Sequence, residues 1–170
     1  MGFDSETAFE SALIKCLVEE KGWKDGVIKY PTEKDLLDNW AKIIFENNRD
    51  IDRLGDFPMT DGEMAQIMGQ IAKLRTPLNL NGFINGGTVQ IIRDNENDTH
   101  NFKKTISLKI FDRNEIAAGR TRYQIAQQPK FKAKNSIYPN RRGDFCLLIN
   151  GMPVIHVELK KSNVPVSEAQ

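Results

Sequence analysis

The chain has 170 residues, of which 39% are hydrophobic and 28% are charged, and its formal net charge is +1. This length suits a single core of ordinary domain size, and no apolar run approaches the roughly 20 residues that a membrane-spanning helix needs. The N-terminus lacks the basic start and apolar block of a signal peptide, so we expect a cytoplasmic protein with no membrane partner. Cys16 and Cys146 stand far apart with no metal-binding spacing, which indicates core thiols.

The charge is unevenly distributed along the sequence. Residues 1–102 carry 11 Lys and Arg against 18 Asp and Glu, whereas residues 103–142 carry 11 against 2. A basic block of this size could bind a polyanion, because each phosphate that it neutralises releases counterions. It could equally be a solvated face that docks on the acidic N-terminal part.

Three segments have apolar residues at helical spacing. They are residues 5–21, Thr32–Asn48 and a stretch that begins with a capping box of Thr60 and Glu63 and that cannot continue through Pro77. The methionines of the third segment are interpreted as core residues.

From about residue 88 the hydrophobic period changes from 3.6 to 2. Thr88–Arg93, Thr105–Phe111 and Thr121–Gln127 each predict a strand. Two more strands follow in the stretch Gly143–Lys161, GDFCLLINGMPVIHVELKK, on either side of an Asn-Gly turn. Helices therefore come first and strands second, which predicts an α+β fold with helices on a mostly antiparallel sheet of about five strands.

Three charged residues, Asp144, Glu158 and Lys160, interrupt this apolar hairpin. Side chains alternate along a strand, so His156, Glu158 and Lys160 share one face, whereas Lys161 points to the other face.

The turn decides whether Asp144 joins them. A two-residue type I′ turn would pair Ile149 with Met152 and leave Asp144 on the wrong face. A three-residue loop with a bulge would pair Leu148 with Met152 and place Asp144 on the face of Glu158. A kink or ladder break near Asp144 would have the same effect, and the sequence permits all three.

Converging carboxylates would need a proton or a cation between them, and an all-oxygen pair suits a hard ion such as Mg²⁺. Asp144, Glu158 and the Lys160 ammonium would then be the parts of a metal-assisted phosphodiesterase. The pattern alone is short, and a solvated Glu158–Lys160 ion pair on the hairpin surface is the plainer interpretation.

A longer stretch, RRGDFCLLINGMPVIHVELKKSNVPVSEA, resembles the N-terminal endonuclease domain of the restriction (motor) subunit of type I restriction-modification enzymes, a branch of the PD-(D/E)xK nucleases. The upstream TRYQIAQQPKF and the first helix ending in Gly22-Trp23 resemble it more loosely. The resemblance implies a restriction-endonuclease-like core that hydrolyses double-stranded DNA with Mg²⁺. It also implies methyltransferase and specificity subunits as partners.

The resemblance assigns roles to individual residues. Asp144 and Glu158 would bind the metal, Leu159 would offer its carbonyl, and Lys160 would assist the attacking water. Related nucleases add a glutamate from the first helix, for which Glu10 is the nearest match. Basic residues near the site and one histidine are candidate DNA contacts: Arg120, Arg122, Lys130, Lys132, Lys134, Arg141, Arg142 and His156.

Two features of the family are missing. Its Gln-x-x-x-Tyr motif lies on a helix that would begin near Val166, and the motif is not completed by Gln170. No Gly-x-x-x-x-Gly-Lys-Ser/Thr loop occurs either, so ATP would serve only a motor outside this chain. We therefore interpret residues 1–170 as one nuclease domain, the N-terminal fragment of a longer subunit. The alternative is a non-catalytic domain that binds DNA or docks the subunit.

Overall fold

The computed structural model describes residues 5–74, 76–84, 87–111, 121–131 and 141–159, without the side chains of Pro77, Leu80, Arg141 and Arg142. The chain divides into two compact units. Unit 1 comprises Met1–Leu36 and Arg122–Gln170, and unit 2 comprises Leu37–Thr121. This division is one of packing and not of function, so a single nuclease domain over residues 1–170 stays a prediction.

Four helices and eight strands make up the described part of the chain. The helices are α1 (Glu6–Glu20), α2 (Glu33–Asn47), α3 (Asp61–Ile71) and α4 (Pro77–Ile84). The strands are β1 (Val27–Lys29), β2 (Thr88–Ile92), β3 (Thr105–Lys109), β4 (Tyr123–Gln127), β5 (Lys130–Phe131), β6 (Arg141–Arg142), β7 (Phe145–Ile149) and β8 (Met152–Val157).

Unit 1 is built on a four-stranded mixed sheet in the order β1-β4-β7-β8. The strands β1 and β4 run parallel, with Val27 opposite Ile125, whereas β4, β7 and β8 are antiparallel neighbours. The short pair β5 and β6 is a separate antiparallel ladder. The central strand β7 is buried along most of its length, as expected of a strand covered on both faces.

The two faces of this sheet have different cover. On one face, Ile14 of α1 packs with Ile125, Phe145 and Leu147, and the partly buried Val157 and Leu159 join this cluster. On the other face, Leu36 at the start of α2 packs with Ala126, Cys146 and Leu148. Burying a side chain of this size stabilises the fold by about 1.5–3 kcal/mol.

The helices of unit 1 begin where short polar side chains satisfy free N–H groups. The Ser5 hydroxyl accepts from Ala8 N–H at 3.1 Å, and the Thr32 hydroxyl accepts from Asp35 N–H at 3.2 Å. The Asp35 carboxylate accepts in return from the Thr32 backbone and side chain, and the backbone bond first of all lowers the pKa of Asp35.

Unit 2 contains the hairpin β2–β3, whose outer backbone groups are met by side-chain amides. Gln66 both donates to and accepts from the backbone of Ile92, at 2.9 and 2.7 Å, and Gln70 donates to the Gln90 carbonyl at 2.7 Å. On β3, Asn48 bonds in the same two-way manner to the N–H and carbonyl of Lys109. Three amides thus occupy pairing positions on both edges of the hairpin.

A buried ion cluster ties the loops of unit 2 together. Arg93 has no exposed surface, and its guanidinium donates to Glu63 at 2.6 Å and to Asp98 at 2.9 Å. It also donates to the Phe57 carbonyl at 2.6 Å. Glu63 closes the capping box with Thr60. Burial by itself raises the pKa of Asp98, but the hydrogen bonds from Arg93 and Asn101 outweigh burial and lower the pKa overall.

The α+β fold class predicted from the sequence is confirmed, as are the helices at Glu6–Glu20 and Glu33–Asn47 and the Thr60–Glu63 capping box. One detail differs, because in the described part of the chain β2 and β3 form a separate two-stranded sheet. The strand β1 and the helix α4 were not predicted. Cys146 is buried, as predicted, and Cys16 is partly buried. None of the described helices has the length and apolarity to cross a membrane.

Replacing Arg93 with Met should lower the free energy of unfolding by about 3–5 kcal/mol, because it leaves the buried carboxylates of Glu63 and Asp98 without their cation. Urea denaturation measures the effect. The matched control is Arg49→Met, which removes an exposed ion pair with Asp56 and should cost less than about 1 kcal/mol. Equal losses in the two variants would contradict the structural role of the buried cluster.

Candidate active site

The hairpin that carries the predicted site turns through two residues. Asn150 and Gly151 both have positive φ, 49° and 84°, and Ile149 pairs with Met152, which is the pattern of a type I′ turn. Asn150 is buried and anchors the turn to β4, since it donates its N–H to the Arg122 carbonyl and accepts the Arg122 N–H on its side-chain oxygen. Of the turns that the sequence permits, the structure has the shorter.

A bulge in β8 then changes the register. Leu148 pairs with Pro153 but Leu147 pairs with Ile155, so Val154 is an extra residue with no partner across the ladder. Beyond the bulge, Phe145 stands opposite Val157, where a regular hairpin with the same turn would place it opposite His156. The bulge therefore reverses the faces of all later side chains of β8 relative to β7.

This shift brings the two predicted carboxylates to one side of the sheet. Continuing the register by one residue past Phe145 and Val157 sets Asp144 across from Glu158. The Asp144 carboxylate accepts a hydrogen bond from the Leu159 backbone N–H, so it reaches the peptide group that joins Glu158 to Leu159. The structure thus brings Asp144, Glu158 and Leu159 together.

His156 lies beside this group. Its Nε2 is 3.9 Å from a carboxylate oxygen of Glu158, and its side chain is 56% exposed. The imidazole also packs against Gly143, where a Cβ atom would collide with it. On the facing strand, Cys146 is buried, and that burial raises the pKa of its thiol.

Glu10 lies on α1, the helix that covers the opposite face of the sheet. It is 4% exposed, and its carboxylate accepts from the side-chain amides of Gln127 at 2.7 Å and Gln128 at 3.0 Å. In the described ranges no three His, Cys, Asp or Glu side chains are grouped so that they could hold a metal ion. Glu10 is therefore not gathered with Asp144 and Glu158, and its role as a metal ligand stays a prediction.

The predicted DNA contacts fall at different places. Lys130 begins β5, three residues after the end of β4, and its Nζ lies 5.9 Å from the centre of the Tyr30 ring. Arg122 is at the turn end of β4, six residues before Gln128, which is about 20 Å along an extended strand. Three other predicted DNA contacts, Arg120, Lys132 and Lys134, and the predicted catalytic residue Lys160 lie outside the described residues. The backbone of Arg141 and Arg142 forms β6, and their side chains are not described.

Three residues near the site had no signal in the sequence. Val154 sits in the run Met-Pro-Val-Ile, where one extra apolar residue leaves the pattern unchanged. Gln128 and Tyr30 both adopt positive φ, 51° and 56°, and Tyr30 donates its N–H to the carbonyl of Gln127. Positive φ in residues of this size depends on tertiary structure and cannot be inferred from the amino-acid sequence.

The donors at the site suit a hard divalent cation. Carboxylate oxygens from Asp144 and Glu158 and a backbone carbonyl are the ligands that Mg²⁺ prefers, with water or phosphate oxygens for the remaining positions. The Leu159 N–H occupies one oxygen of Asp144 and fixes the direction of the carboxylate. These residues therefore fit the metal that the family resemblance implies.

Comparison with known proteins identifies the family. Residues 4–170 match the family model described as the type I restriction enzyme R protein N terminus, and the chain belongs to this family. The resemblance inferred from the sequence is thereby confirmed.

Several similar proteins are type I restriction enzyme endonuclease subunits. The one from Staphylococcus saprophyticus is 28% identical over 173 residues, which cover 99% of this chain and 16% of that protein. The one from Staphylococcus aureus strain COL is 28% identical over 171 residues, with the same two coverages. The chain thus spans 16% of the length of these relatives.

Deleting Val154 and Ile155 together should abolish metal binding at this site, because the same turn would then pair Phe145 with Glu158 and move Glu158 to the face opposite Asp144. Isothermal titration of the chain with Mn²⁺ measures the loss, and circular dichroism checks that the strands remain. The matched control deletes Val154 alone, which removes the bulge but keeps Asp144 across from Glu158, and it should retain metal binding. Undiminished binding after the double deletion would show that the register of β8 does not set the site.

Proposed function

We propose that this chain is a nuclease domain that hydrolyses phosphodiester bonds of double-stranded DNA with Mg²⁺. One observation carries the proposal. The Asp144 carboxylate accepts the Leu159 N–H, and the register sets Asp144 across the hairpin from Glu158. Membership of a family of restriction enzyme subunits supports the choice of DNA as the substrate.

The residues of the chain divide the chemistry among them. Asp144 and Glu158 would hold the cation, and the Leu159 N–H keeps the Asp144 carboxylate in place for that purpose. A cation held there would supply the activation of a water molecule and would offset the charge of the phosphate. We assign to Lys160, two residues after Glu158, the orientation of the attacking water and the stabilisation of negative charge that develops on the phosphate.

The basic character of residues 103–142 supports a DNA partner. This segment carries 11 Lys and Arg against 2 Asp and Glu, and the exposed Lys130 begins β5, shortly after the end of β4 that pairs with Phe145. A cation at that position can neutralise a phosphate close to the scissile bond. His156 is sufficiently exposed to contact the DNA backbone as well.

The rest of the enzyme would supply recognition and movement. We infer that methyltransferase and specificity subunits complete the complex in the cytoplasm. The ATP-driven motor would belong to the remainder of the subunit, because the relatives are longer and the phosphate-binding loop is not in this sequence. The chain itself would then need Mg²⁺ and DNA but no nucleotide.

Asp144→Asn should weaken binding of Mg²⁺ or Mn²⁺ to the chain at least about 10-fold, because the amide keeps the shape of the side chain but loses its charge. Isothermal titration calorimetry measures the affinity. The matched control is Asp25→Asn, which alters a carboxylate that accepts the Tyr123 N–H at the other end of β4 and should leave metal binding unchanged. Unchanged binding in Asp144→Asn, with DNA binding retained, would favour the non-catalytic alternative.

Lys160→Ala in the full-length subunit, assembled with its partners, should lower DNA cleavage by about 10²–10³-fold and leave DNA binding intact. Gel assays of plasmid cleavage and of DNA binding measure the two effects. Lys161→Ala is the control, because alternation along a strand predicts the other face for this neighbouring side chain, and it should cleave normally. Normal cleavage by Lys160→Ala would refute the role given to this lysine.

A further inference from the structure

Gln128 links three parts of unit 1 at the site end of the sheet. It follows β4, and its backbone N–H donates to the Asp144 carbonyl at 2.7 Å. Its side-chain amide donates to the Glu10 carboxylate, at 3.0 Å to one oxygen and 3.3 Å to the other. A single residue therefore connects the main chain of Asp144 to helix α1.

The conformation of Gln128 is unfavourable for the residue itself. In the described part of the chain, four non-glycine residues have positive φ, namely Tyr30, Lys103, Gln128 and Asn150. Asn150 has positive φ because its type I′ turn requires it, whereas no such turn accounts for the positive φ of Gln128. The Gln128 Oε1 is moreover buried with no hydrogen-bond partner among the described residues.

The positive φ of Gln128 and its Oε1, unpaired among the described residues, both destabilise the folded state locally. A role other than stability therefore has to account for this residue. Strain of this kind concentrates at functional sites, where the surrounding structure holds a residue in place. Among the described residues, the hydrogen bonds of Gln128 are those to Asp144 and Glu10. Glu10 is itself buried, and no salt bridge to a cation is found for it among the described residues, so the two glutamine amides are its hydrogen-bond donors there.

We infer that Gln128 is a positioning residue for the nuclease reaction. It uses the buried Glu10 on α1 as an anchor and holds the main chain of Asp144, so that the Asp144 carboxylate stays on the Leu159 N–H and across from Glu158. The inference rests on the proposed function and adds a residue that touches neither metal nor DNA.

The test compares Gln128→Asn with Gln127→Asn in the full-length subunit assembled with its partners. Asparagine adopts positive φ more readily than glutamine, so the first variant relieves strain while its shorter amide no longer reaches Glu10. The second variant withdraws the other donor to the same carboxylate, from a residue whose backbone faces Phe145 rather than Asp144. Cleavage rate, the Mg²⁺ concentration for half-maximal cleavage, melting temperature and amide hydrogen exchange of the segment containing Leu159 are measured.

Gln128→Asn should lower the cleavage rate and raise the Mg²⁺ requirement by about 10- to 100-fold, the usual cost of losing a residue that orients a metal ligand. It should also speed exchange at Leu159, without a lower melting temperature, and Gln127→Asn should behave as wild type. Gln128→Gly, in which positive φ costs nothing, should show the same defect if Gln128→Asn folds poorly.

Two results would overturn the inference and are distinct from each other. In the first, Asp144→Asn abolishes cleavage, but Gln128→Asn shows wild-type cleavage and amide exchange or is no more impaired than Gln127→Asn. The positioning role of Gln128 is then wrong, and the proposed function is unaffected. If Asp144→Asn still cleaves, the proposed function falls and the inference falls with it.

Discussion

The bulge that leaves Val154 unpaired is the constraint on which the candidate site and the core of unit 1 both depend. Because side chains of a strand alternate between faces, a shift of one residue in the register moves every later side chain to the other face. The same shift that sets Glu158 across from Asp144 also turns Val157 and Leu159 toward Ile14 and the α1 face. The burial of these apolar side chains and the placement of Asp144 and Glu158 on one face therefore result from the same register shift.

The sequence predicted those elements whose signals are local. The periodic apolar residues of α1 and α2, and the reciprocal pairing of Thr60 with Glu63, depend only on neighbours within a turn or two. The strand β1 was missed because three residues are too short to show alternation, and its partner Ile125 is far along the chain. The helix α4 was missed because Pro77 was interpreted as a stop, although proline is equally suited to the first turn of a helix.

The residues of the candidate site could be proposed from the sequence, but their geometry could not. Asp144 and Glu158 interrupt an apolar hairpin in the sequence, and their role as metal ligands stays a prediction. Asn-Gly allows more than one turn, however, and the apolar run after it accepts an extra residue without penalty, so only coordinates decide the register. The role proposed for Gln128 could not be predicted from the sequence for a related reason, because it depends on a backbone angle that distant contacts impose.

The amide groups of Gln66, Gln70 and Asn48 have a consequence for biosynthesis. Residues 37–121 emerge from the ribosome ahead of Ile125, the partner of Val27 in the main sheet, so the hairpin of unit 2 can form while the main sheet is still incomplete. An exposed ladder at that stage would invite strands from neighbouring nascent chains. Because side chains of the same unit already occupy several of its pairing positions, an intruding strand would have to displace them first. The hairpin is thereby protected from mispairing during translation.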